Sequence, residues 1–81
     1  MVVVFSGNKE EINRCKTAII LANGDFGVTV EEMSLTREKW FRYRLEVKLR
    51  GPEKNKNRFL RRISANYDVL NGNMLGLLEY L

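Results

Sequence analysis

The chain contains no histidine, a single cysteine and a single proline. The missing histidine removes the commonest general base, the commonest zinc ligand and every catalytic triad built on an imidazole. One thiol, Cys15, cannot close an internal disulfide, so the fold must stand on its core, and a reducing compartment, the cytoplasm, is the expected setting. Aspartate is scarce as well, and Asp25 and Asp68 with Cys15 make no metal-ligand cluster. The longest apolar run, Thr17–Ala22, falls well short of the roughly 18–20 residues that a membrane span needs. The N-terminus has neither a basic lead nor a small-residue cleavage site, so no signal peptide is expected. These shortages point to a chain that acts by binding, with no metal, no cofactor, no catalysis and no membrane partner expected.

What is present is ordinary globular composition: 81 residues, 44% hydrophobic and 30% charged. A chain of this length is expected to form one domain, residues 1–81, with a single two-layered core. The net charge of +4 is unevenly spread. Residues 37–62 hold eleven Lys/Arg against Glu38, Glu46 and Glu53, a local net of +8, while the flanking segments are each slightly acidic. Positive charge gathered in one segment predicts an acidic partner.

Val2-Val3-Val4-Phe5 reads as a short buried strand, broken by Ser6-Gly7-Asn8. Asn8 with Glu11 three residues on has capping-box spacing, and Glu10 and Glu11 suit the positive end of a helix dipole. Ile12, Cys15, Ile19 and Ala22, with Ala18 beside them, make the apolar stripe of a helix over about 9–23, ended by Asn23-Gly24. Phe26, Val28 and Val30 alternate with polar or small residues, a strand that can continue to Leu35, and Thr36–Lys39 reads as a polar connection. The clearest alternation follows: Phe41, Tyr43, Leu45, Val47 and Leu49 against Trp40, Arg42, Arg44, Glu46, Lys48 and Arg50. That is a long strand with one apolar and one charged face. Gly51-Pro52 stops it and opens a second helix with Phe59, Leu60 and Ile63 inside. Asn71-Gly72 signals a turn, and Met74–Leu81 reads as a final strand, with a short helix as the alternative. The order βαββαβ predicts an α+β, ferredoxin-like sandwich: a four-stranded antiparallel sheet with both helices on one face.

Few residues carry chemistry of their own. Cys15 lies on the buried stripe and reads as a small core residue. Ser6-Gly7-Asn8 can present backbone N–H groups to an anion, but it lacks the Lys and Gly spacing of a phosphate loop. The sharper expectation is a nucleic-acid surface. On the wet face of the third strand, Arg42, Arg44, Lys48 and Arg50 repeat at about 6.5–7 Å per two residues, close to the spacing of phosphates along one strand. Trp40 heads that row and can stack on a base, while Lys54, Lys56, Arg58, Arg61 and Arg62 extend the positive field along the second helix. The competing reading is a solvated charged face, with Glu31, Glu46 and Glu79 pairing with the arginines.

The element order is similar to that of RNA-recognition domains, and Lys39-Trp40-Phe41-Arg42-Tyr43 loosely resembles their basic-Gly-aromatic-small-aromatic motif. Exposing Phe41 and Tyr43 on the sheet, as that motif requires, would bury Arg42, Arg44 and Glu46 at a cost on the order of several kcal/mol per ion. The resemblance is therefore one of fold pattern. A second functional reading is an ACT-like regulatory or protein-interaction module acting as a homodimer, with an acidic protein as another possible partner. Its ligand site would be Ser6–Asn8 and the start of the first helix.

Overall fold

The computed structural model describes residues 1–70, Gly72 and the backbone of residues 78 and 79. Its fold is α+β. Strand β1 (Val2–Gly7) leads into helix α1 (Lys9–Ala22), then strands β2 (Thr29–Lys39) and β3 (Arg42–Arg50), helix α2 (Lys56–Val69) and a two-residue β4 (Leu78–Glu79). The three full strands are antiparallel in the order β2-β3-β1. Of the strand expected over Met74–Leu81, Leu78 and Glu79 pair with Phe5 and Val4 at the far edge of β1. The rest of that segment, and Asn71 of the expected turn, lie outside the described residues.

Register explains the layering. Phe5 sits opposite Leu45 and Val3 opposite Val47, so four large apolar side chains meet on one face. Both helices cover that face. Ile12, Cys15, Ala18, Ile19 and Ala22 of α1 join Phe59, Leu60, Ile63 and Tyr67 of α2 in a single buried cluster with Val3, Phe5, Val28, Leu45, Val47 and Leu49. Asn66 ties the helices together by donating from Nδ2 to the Ala18 carbonyl at 3.2 Å. Alternation then turns Arg44, Glu46, Lys48 and Arg50 to the opposite face, the phase expected from the sequence. Val4 and Ser6 also belong to that opposite face, yet both are buried, while Val2 at the start of β1 is exposed.

Helix α1 begins as its capping box predicts. Asn8 Oδ1 accepts from the Glu11 amide at 2.8 Å, and Glu11 Oε1 accepts from the Asn8 amide at 2.9 Å. Both bonds satisfy donors that a helix start otherwise leaves open, so Asn8→Ala is expected to lower stability by about 1 kcal/mol in denaturant unfolding, with Asn8→Gly costing only a few tenths. Gly24, at φ 91°, takes the left-handed turn after the helix.

Three local expectations need correction. Phe26 is not part of β2: Asp25–Gly27 forms a 3-10 turn and the strand starts at Thr29. Thr36–Lys39 is not a connection but the second half of β2, paired through Lys39 with Arg42. The hairpin loop is Trp40-Phe41 alone, which takes Trp40 off the wet face of β3 and Phe41 off its apolar face. The signal for such a tight turn is usually Gly or Asn at positive φ. Neither loop residue uses that conformation; Phe26 is the one non-glycine that does among the described residues. A register shift at Glu38 adjusts the strand instead, and Arg37 fastens the loop by donating from Nη2 to the Trp40 carbonyl at 3.2 Å. Pro52 precedes α2 by one 3-10 turn, Glu53–Asn55.

Cys15 is fully buried, and loss of hydration pushes its thiol from 9.0 up to about 12. Burial raises Tyr67 as well, opposed in part by a hydrogen bond from Arg14. In the unfolded chain the thiol ionises above about pH 9, whereas the folded chain keeps its proton until about 12, so the unfolded state binds fewer protons in between. Stability should be intact below pH 9 and fall above it, by at most about 1.4 kcal/mol per pH unit for this group. Cys15→Ala should flatten that alkaline slope in denaturant titrations, leaving the share due to Tyr67. An unaltered slope would show that the thiol ionises equally in both states.

Candidate nucleic-acid interface

The ten residues singled out in the sequence are exposed or half-buried, but they do not share one surface. Arg42, Arg44, Lys48 and Arg50 belong to β3 on the side turned from the helices. Arg58, Arg61 and Arg62 are exposed on α2, in the opposite layer. Lys54 and Lys56 lie at the corner where β3 passes into α2, and Trp40 occupies the hairpin tip. The sheet stands between the two arginine groups, so a single flat ligand cannot reach both.

The row on β3 is also less positive than its cation count implies. The bulge in β2 carries Glu38 to within 3.9 Å of both Arg42 Nε and Arg44 Nη1. Register places Glu32 opposite Lys48 and Ser34 opposite Glu46. Glu38 was missed because Thr36–Lys39, polar throughout, reads as a connection rather than as a strand paired with β3. Exposed pairs of this length contribute little to stability. Their effect here is on the local field, since one carboxylate is shared by two guanidinium groups.

The strongest feature is the tip. Trp40 is 80% exposed and Phe41 79% exposed, with ring centroids 6.4 Å apart in an edge-to-face arrangement. Lys39 and Arg42 flank them in the chain. The tip overhangs the start of α1: one shallow cavity of about 400 Å³ is lined by Gly7, Asn8, Glu11, Lys39, Trp40, Phe41 and Arg42. At Ser6–Asn8 the capping box already uses the Asn8 and Glu11 amides, and the Glu11 carboxylate occupies the place an incoming anion would take.

A second cluster lies on the helix side. Arg62 bonds Asp25 at 3.3 Å and stands 5.7 Å above the Phe26 ring. Phe26 has φ 57° and ψ 22°, a left-handed conformation that costs an ordinary L-residue about 1–2 kcal/mol. Among the described residues, no group of three or more Cys, Asp or Glu is placed to hold a metal ion, and no helix is long and apolar enough to cross a membrane. No protein-family model, curated protein or solved structure matches the chain.

Proposed function

We propose that this chain is a non-catalytic, cytoplasmic binding module that holds single-stranded nucleic acid on the Trp40–Phe41 hairpin tip and along the basic row of β3. We read the fold as a ferredoxin-like sandwich in which Leu78–Glu79, paired with β1, mark the fourth strand. The observation that carries the functional reading is the pair of large aromatic rings exposed side by side between Lys39 and Arg42. Two adjacent exposed rings form a contiguous apolar patch, the kind of surface that marks an interaction site where it is large and rimmed by polar groups. Rings stack on any base, and neighbouring cations neutralise the phosphates that follow. Duplex bases are already stacked on each other, which favours a single strand as the target.

The test is a titration of the whole chain with single- and double-stranded RNA and DNA at two salt concentrations, using the native protein and Glu38→Gln. Single strands should bind more tightly than duplexes, with affinity falling as salt rises. Removing the Glu38 charge should strengthen binding by roughly 2- to 5-fold at low salt, the size expected of exposed charge pairs. Equal or weaker binding by Glu38→Gln would remove Arg42 and Arg44 from the interface.

One observation favours a second reading, a homodimeric protein-interaction module. Strand β2 is eleven residues long and stands at the outside of the sheet with Leu35 50% exposed. Such an edge is a template for pairing with another strand. A solution mass of two chains, lost on Leu35→Lys, would support this reading over the first.

A further inference from the structure

We propose that Phe26 and the outer face of α2 form a separate site for a small phosphate ester carrying a flat ring, the chemistry of a mononucleotide. The starting point is the Phe26 backbone. The left-handed turn between Gly24 (φ 91°) and Gly27 (φ 72°) would suit Gly or Asn without strain. The core does not require the ring there, because Phe26 is 39% exposed and lies outside the buried cluster. The surrounding contacts instead fix it in place. Asn55 Nδ2 donates to the Phe26 carbonyl at 2.9 Å, and Gly51 packs so closely on this turn that a Cβ would lie 2.6 Å from the Gly27 carbonyl oxygen. A strained residue that the neighbouring structure holds firmly is a marker of function.

The neighbours supply the rest of the site. Phe26, Arg58, Arg61, Arg62 and Ala65 line a cavity of about 320 Å³. Arg58, Arg61 and Arg62 are spaced i, i+3 and i+4, so they project from one side of α2. Asp25 engages Arg62 and orients it over the ring. Arg58 and Arg61 have no carboxylate within 4.0 Å among the described residues. Guanidinium groups bind phosphate oxygens in pairs, and the Phe26 ring together with the Arg62 plane offers a stacking surface. Ala65 leaves the floor open between them. The cavity is at the small end of the range for ligand pockets, which suits one nucleotide rather than a folded partner.

Calorimetric titration of the full chain with ADP, ribose 5-phosphate and inorganic phosphate tests this. ADP should bind about tenfold more tightly than either anion without a base, the size of one stacked base. Phe26→Gly, which keeps the left-handed turn, should bring ADP down to the level of ribose 5-phosphate. Arg58→Ala with Arg61→Ala should weaken all three ligands. Ala65→Leu, a change at an exposed position, should block ADP without altering charge. Loss of the tight ADP site in Phe26→Gly, with the hairpin tip unaltered, assigns that binding to this cavity rather than to the tip. Absence of ADP binding, equal affinity for ADP and ribose 5-phosphate, or an unaffected Phe26→Gly protein would each overturn the proposal.

Discussion

Replacing Trp40 and Phe41 together with alanine is expected to weaken binding of a single-stranded oligonucleotide by about 30-fold or more, since each stacked base contributes roughly 1–3 kcal/mol. The fold should be indifferent to the change. Both rings are largely in water, at 80% and 79% exposure, so the stability change should stay within about 0.5 kcal/mol. The hairpin itself is held by the Arg37 side chain on the loop carbonyls and by the Lys39–Arg42 pairing, neither of which uses the rings. Because Trp40 is the sole tryptophan, its fluorescence reports contact directly. Quenching on titration should saturate with binding and disappear in Trp40→Ala. The two rings should also be separable, Trp40 giving the larger loss because its surface is larger. Unquenched fluorescence at saturating oligonucleotide would move the interface away from the tip, whatever the affinity measured.

The elements most legible in the sequence were those whose local chemistry and packing agree. Asn8 and Glu11 announce a helix start, the Ile12-Cys15-Ile19-Ala22 stripe faces the core, and Leu45, Val47 and Leu49 alternate with charges on β3. The hairpin was misplaced because its loop contains two bulky aromatics where a turn signal would put Gly or Asn. Thr36–Lys39, polar throughout, resembled a loop while being an edge strand with no buried face to mark it. Phe26 fell into an alternating pattern that the left-handed turn at Gly24–Gly27 interrupts. The charged residues singled out in the sequence are exposed or half-buried, as charged side chains ordinarily are. Their division between two sides of the sheet depends on where the helices pack, which residue spacing alone does not reveal.

That division gives the charges two different settings. On β3, the bulge at Glu38 sets one carboxylate beside the two arginines nearest the aromatic tip and lowers the local positive field. On α2, Asp25 engages Arg62, leaving Arg58 and Arg61 beside a small, shallow cavity. A long flexible anion is suited to the first and a compact one to the second.

Phe59→Ala should show the opposite behaviour to changes at the tip. Phe59 is fully buried at the inner side of α2, on the same turns that carry Arg58, Arg61 and Arg62 outside. Truncating a buried phenylalanine costs about 3–5 kcal/mol, through lost burial and the cavity left behind. A domain of 81 residues has a total stability of about 4–12 kcal/mol at typical values per residue. The variant should therefore lose a large part of its stability, and its Tm should fall by tens of degrees, at about 4–8 °C per kcal/mol. Phe59→Leu keeps most of the volume and should cost only about 1 kcal/mol. At temperatures where Phe59→Leu remains folded, its oligonucleotide affinity should match the native protein, because no exposed group has changed. A marginal effect of Phe59→Ala on unfolding would mean that α2 is not packed on the sheet through this face, and the placement of its arginines on the opposite side would fail with it.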